Sequence, residues 1–167
     1  LLLLIGLLMY LIVFFSWIIV SYQLPTYIIP IAMFSILLTV LLDTTVSLIS
    51  STILILLVSL LIGNDLDFAI VQFFISFIAI LSVRKLRKRR QIIATMLTLV
   101  FCSLFVFFSV MLFKGIDFLD YNYSTVGYLA LSSFLCPILA FGLVPLFESF
   151  FGITTDLSLI ELLDYDQ

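Results

Sequence analysis

The chain has 167 residues, 65% of them hydrophobic and 10% charged, and a formal net charge of −3. Soluble domains run nearer about one half apolar and about one quarter charged, so a water-soluble globular domain is excluded and lipid is the solvent for most of the surface. The absence of histidine also excludes histidine-ligated metal sites and histidine-based catalytic triads.

A helix rising about 1.5 Å per residue needs roughly 20 residues to cross about 30 Å of hydrocarbon. Backbone groups cannot stay unpaired in lipid, so the apolar runs must be helices. The opening run of leucines carries no initiator Met and no charged flank, so it does not read as a signal peptide. The first predicted helix covers Leu2–Ser21 and the second covers 25–42, with Pro25 in its first turn. The third covers Thr44–Ile62, opened by Asp43 as N-cap and closed by Gly63. The fourth covers 68–83 with Asp67 at its start, the fifth Ile92–Phe113 and the sixth 124–147. The expected fold is all-α: a polytopic membrane bundle of about six transmembrane helices over 1–147. A cytoplasmic juxtamembrane linker with a short helix then covers 148–167.

Six of the seven basic residues, Arg84, Lys85, Arg87, Lys88, Arg89 and Arg90, fall in one loop. The positive-inside rule places that loop in the cytoplasm. Both Leu1 and the tail after Phe147 are then cytoplasmic, while 63–67 and 114–123 are external. Trp17, Tyr22, Tyr27, Tyr121, Tyr123 and Tyr128 gather at the outer interface, where amphipathic rings settle. Asp43 sits at an inner turn without a base, which fits the rule poorly, although acids carry little weight in it. The basic loop is flanked by apolar runs, which speaks for membrane lipid and against nucleic acid; it is topogenic, a binder of anionic headgroups, or both.

Small and hydroxylated residues repeat along three helices: Thr45, Thr52 and Ser59; Thr95, Thr98, Cys102 and Ser109; Gly127, Ala130, Ser133, Pro137 and Ala140. Such faces bring helices close, and the rival reading is a polar solute pathway. No charged residue falls at mid-membrane depth, which favours packing. Asn64, Asp65, Asp67 and Gln72 form the most polar outer cluster, read as capping and interface hydration or as a small ligand or cation site. Pro137 removes a backbone bond from the sixth helix and is either a shape device or a hinge. The fifth and sixth helices are expected to be antiparallel neighbours, with Cys102 and Cys136 as unjoined thiols at one depth in one helix–helix contact.

The exit from the membrane is the most specific stretch. Gly142, Pro145, Glu148, Phe151, Gly152, Thr155, Leu159, Glu161 and Leu162 stand at the spacing G-x-x-P-x-x-E-x-x-F-G-x-x-T-x-x-x-L-x-E-L. In physical terms, Pro145 and Gly152 bracket an aromatic-rich turn at the inner interface. Thr155 or Asp156 caps a new helix, with Ser158 and Glu161 as a competing capping box. The stretch is a rigid connection or a passive tether.

This exit resembles the juxtamembrane signature of bacterial seven-transmembrane receptors with an intracellular HD hydrolase. Pro30, Met33 and the basic loop extend the resemblance more loosely over nearly the whole chain. It implies a parent with an extracellular domain, seven helices and a cytoplasmic metal-dependent HD domain, whose characterised relatives hydrolyse cyclic di-AMP. The first of the seven helices would precede Leu1 and the hydrolase would follow Gln167. No catalytic or metal-binding residue and no cofactor is then expected here, the divalent metal belonging to the HD domain. Partners are lipid, the parent's other domains and a second copy in a homodimer. The location is a bacterial cytoplasmic membrane, with the C-terminus in the cytoplasm. The alternative function is the substrate-capture subunit of a small six-helix transporter. An intramembrane protease is disfavoured because the helices hold no mid-membrane Asp and no Ser–Lys pair.

Overall fold

Apolar runs become helices in the computed structural model, which describes residues 2–84, 90–115 and 123–151, with the backbone alone at Arg90, Gln91, Glu148 and Phe151. The helices are α1 (Leu2–Ser21), α2 (Ile31–Leu41), α3 (Thr44–Ile62), α4 (Leu66–Val83), α5 (Arg90–Phe113) and α6 (Tyr123–Phe151). Among the described residues there is no strand. All but α2 are long and apolar enough to cross a membrane. The protein is therefore a multi-pass membrane protein. Arg84 marks one end of the bundle, the basic end, and the Gly63 turn marks the distal end.

The second helix differs from its expected single span of 25–42. Pro25 leads into a 3-10 turn, Thr26–Ile28, and the chain breaks before α2 begins. Pro30 is the cause. It brings no N–H, and it holds Ile29 extended at φ −59°, ψ 120°. Pro30 itself takes φ −84°, ψ 58°, and the Ile31 N–H donates back to the Ile29 carbonyl at 2.9 Å. That is an inverse γ-turn. The result is an 11-residue helix, about 16 Å long and so about half a hydrocarbon thickness.

This short helix is the centre of the molecule. Every residue from Ile31 to Leu38 is buried, because α3, α4 and α6 pack around it. The outer helices bury one stripe each. In α1 it is Leu4, Leu8, Ile12, Ser16 and Ile19, and Ser16 Oγ donates to its own Ile12 carbonyl at 2.7 Å. In α4 it is Phe68, Val71, Gln72, Ile75, Ser76, Ala79, Ile80 and Val83. The opposite faces, rich in Leu and Phe, are exposed, as suits lipid contact.

Gly63 closes α3 as expected. It takes φ 111°, and the Gly63 and Asn64 N–H groups donate to the Leu60 and Ser59 carbonyls, the paired bonds of a Schellman end. Asp43 stands at the N-cap of α3 without a side-chain capping bond. The cap of α4 is Asp65 rather than Asp67: its carboxylate accepts from the Asp67 and Phe68 N–H groups at 3.0 and 3.1 Å. Helix α6 continues one turn past the expected end at Phe147, through Pro145 to Phe151. The aromatic-rich stretch 146–151 is therefore helical rather than a turn. Its Leu146 and Phe150 side chains are exposed.

Candidate functional site

Three sets of contacts, ordered from the distal to the basic end, organise the bundle around α2. At the distal end Tyr27 is buried, not lodged at the interface as its chemistry suggests. Its ring lies 5.7 Å from Phe68 of α4 and 5.5 Å, edge-on, from Phe107 of α5. Such pairs hold beyond their area burial. Beside them the Lys114 ammonium pairs with the Asp67 carboxylate, joining the first residue after α5 to the first turn of α4. Of the other expected interface aromatics, Trp17, Tyr22, Tyr123 and Tyr128 are exposed, and Tyr121 lies outside the described residues.

At the middle level two helices that pack together each carry a backbone defect. The first N–H groups of any helix lack intrahelical acceptors, and in α2 these lie inside the bundle. Met33, in the first turn of α2, and Cys136 of α6 are both buried where these two helices pack, and the Ser132 hydroxyl lies 3.8 Å from the Cys136 sulfur. The next residue of α6 is Pro137, also buried. It has no N–H, so the Ser133 carbonyl loses its usual helical donor.

Toward the basic end hydroxyls bridge α2 and α3. Ser47 Oγ donates to the Ser35 carbonyl at 2.7 Å, and Thr39 Oγ1 lies 2.7 Å from that carbonyl and 2.9 Å from Ser47 Oγ. Ser51 then donates back to the Ser47 carbonyl at 2.5 Å. Ser76 Oγ on α4 is the one buried side-chain oxygen or nitrogen without a partner among the described residues.

The expected small-residue stripes are only partly the buried ones. On α5 the buried positions are Thr95, Leu99, Ser103 and Phe107, while Thr98 and Ser109 are exposed and Cys102 is half-buried. On α3 Thr45 is exposed and Thr52 half-buried, and Ser47, Ser50 and Ser51 are inside with Ser59. On α6 Ser133, Pro137 and Ala140 are buried but Gly127 is exposed. The reason is local: Thr52 and Ser109 donate to their own Leu48 and Phe105 carbonyls, so a hydroxyl can face lipid at little cost. Helices α5 and α6 are neighbours as expected. Cys136 is buried, Cys102 is half-buried, and the two thiols are unbridged.

The outer polar cluster does not converge. Asn64 is exposed in the α3 turn, Asp65 is occupied as a cap, Asp67 pairs with Lys114, and Gln72, 3% exposed, lies inside the bundle. Among the described residues no three His, Cys, Asp or Glu side chains group to hold a metal ion. Of the basic loop, Arg84 follows α4 and is exposed, and Arg90 starts α5. Lys85, Arg87, Lys88 and Arg89 lie outside the described residues. Of the juxtamembrane set, Pro145, Glu148 and Phe151 lie in the last turns of α6. Gly152, Thr155, Asp156, Leu159 and Glu161 lie outside the described residues.

A six-helix bundle whose last helix runs into the juxtamembrane motif agrees with comparison against known families. Residues 1–155 match the family described as 7TM receptor with intracellular HD hydrolase. The chain belongs to that family. In this receptor family the membrane region is the receptor part and the HD hydrolase is a separate domain. No curated protein and no solved structure matches the chain. The residue pattern alone did not place the break before α2 or the hydroxyl bridge of the receptor. Pro30 was the available signal for the first; nothing in the residue pattern separates Ser47 from Thr45 for the second.

Proposed function

We propose that the chain is the transmembrane sensor and anchor module of an HD-domain cyclic di-AMP phosphodiesterase in a bacterial cytoplasmic membrane. The family match over residues 1–155 carries this reading. The bundle of 1–147 anchors and senses; the linker of 148–167 passes the signal on through Pro145, Glu148, Phe151, Gly152, Thr155, Asp156, Leu159 and Glu161. The basic loop of 84–90 and the C-terminus face the cytoplasm, in keeping with the positive-inside rule. Arg84, Lys85, Arg87, Lys88, Arg89 and Arg90 then stand against anionic headgroups.

The residues of this chain do not fit a hydrolase metal centre, because none of the 167 is histidine. The divalent metal and the chemistry therefore belong to the HD domain, and this module acts on them by position alone.

Two experiments test the reading. The full reading frame, purified in detergent with manganese, hydrolyses cyclic di-AMP in preference to cyclic di-GMP, and the 167-residue chain alone hydrolyses neither. Activity in the isolated chain, or none against cyclic di-AMP in the full protein, would overturn it. Orientation is tested in a background without native cysteines: Asp120→Cys reacts with an impermeant maleimide on intact cells and Lys88→Cys does not. The reverse pattern inverts the topology.

A further inference from the structure

Inside a membrane a helical hydroxyl has a ready partner, the carbonyl of the preceding turn. Ser16, Ser35, Ser51 and Ser103 all take it. Ser76 does not. The residue is 2% exposed, and its Oγ is enclosed without a partner among the described residues. A buried hydroxyl left unpaired is costly. One turn earlier on the same buried face of α4 stands Gln72, 3% exposed, whose amide carries two donors and an acceptor.

Two contacts fix what lies at the depth of this pair. Ser59 of α3 donates to the Asp65 carbonyl at the N-cap of α4 at 2.8 Å. From there Ser51 lies about 12 Å along α3 and Gln72 about 10 Å along α4. The Tyr27 ring touches both Phe68 of α4 and Phe107 of α5, and Gln72 and Ser103 each lie about 6 Å further in. Ser51, Gln72 and Ser103 therefore share one level, buried on three helices of which α4 is the common neighbour, and Ser76 lies about 6 Å deeper. Ser51 and Ser103 have spent their single protons on their own helices and keep lone pairs. Gln72 and Ser76 bring donors.

We propose that this layer holds an ordered water molecule, bound between the Ser76 hydroxyl and the Gln72 side-chain amide on the inner face of α4. A buried water needs roughly 10–15 Å³ and about three polar partners. Small side chains at this level favour the first. For the second, Ser76 Oγ donates to the water, the water donates to the Gln72 carboxamide oxygen, and the neighbouring serines offer lone pairs for its other proton. The bound species is neutral, because the charged residues described stand at the helix ends and none at this depth would balance an ion. The site goes beyond the receptor reading and does not depend on it.

Water-edited solid-state NMR tests the site on the full-length receptor in lipid bilayers, with nitrogen-15 in its glutamine and asparagine side chains. Gln72→Met and Asn64→Gly identify the two signals by their loss. Magnetisation from water should reach the buried Gln72 amide within about threefold of the time it takes to reach exposed Asn64, because a bound water touches that amide directly. Slower transfer in the native receptor overturns the site. Ser76→Ala removes one of the water's partners and should slow transfer to Gln72 about fivefold or more, with transfer to Asn64 unchanged. Equal transfer to Gln72 with and without the Ser76 hydroxyl overturns the site as well. Neither readout involves nucleotide, so a receptor without cyclic di-AMP hydrolysis would count against the proposed function alone.

Discussion

Replacing Ser47 by alanine tests how much the hydroxyl bridge holds α2 to α3. Ser47 is fully buried; its hydroxyl donates to the Ser35 carbonyl and accepts from Thr39 Oγ1 at 2.9 Å. Removing it leaves no orphan, because Thr39 can still donate to the Ser35 carbonyl at 2.7 Å. The loss is therefore that of the interhelical bonds alone, without a desolvation penalty. Interhelical hydrogen bonds in bilayers average about 0.6 kcal/mol and reach about 1.7, so Ser47→Ala should cost about 1 kcal/mol. That is about a fivefold fall in the folded-to-unfolded ratio. Thr39→Val breaks only the Thr39–Ser47 bond and the local one within α2, and should cost less. In the Ser47→Ala background it should cost about 0.5 kcal/mol less than in the native chain, since the shared bond is already gone. Equilibrium unfolding in mixed micelles, followed by circular dichroism, measures all four corners of the cycle. A neutral Ser47→Ala, or strict additivity of the two changes, would refute the bridge.

Three further outcomes follow from the helix ends. Asp65→Ala removes the cap of α4 and should cost about 1 kcal/mol, with the amides of Asp67 and Phe68 losing exchange protection, while Asp65→Asn restores most of it. Gly63→Ala meets no atom within 4 Å but must hold φ 111°; unfolding in micelles should therefore show a loss of about 1 kcal/mol from backbone strain alone. Lys114→Ala breaks a pair whose side chains are 44% and 27% exposed, so screening limits the loss to about 0.5 kcal/mol, and the deficit should shrink as salt is raised in the unfolding assay.

Helix existence was legible because lipid leaves apolar runs one option, and the Gly63 end was legible because a left-handed residue must be glycine or nearly so. The break before α2 was less so. Pro25 and Pro30 lie in a run as apolar as its neighbours, and composition fixes a span's length without fixing where its backbone pauses. Burial phase failed for a reason particular to membranes. Thr98 and Ser109 look inward by polarity, but Ser109 satisfies its hydroxyl within α5 and both face out. Tyr27 misled in the opposite direction, since a ring suited to the interface is enclosed by Phe68 and Phe107. In the outer cluster, Asp65 and Asp67 were visible as acids near a helix start. Which of them caps and which pairs depends on Lys114, 47 residues away, and no local pattern carries that.

The half-length of α2 bears on how the protein is made. A helix of 11 residues, about 16 Å long, cannot span the bilayer core and hold its place as an independent inserted unit. Its cover comes from α3 and α4, which follow it directly, and from α6, which is made well after them. Until α6 has been made, one flank of the central strut lies open to lipid. Assembly is thus a closing of the outer helices around a core laid down early. A nascent chain ending before Tyr123 should remain accessible to quality-control proteases that ignore the finished bundle.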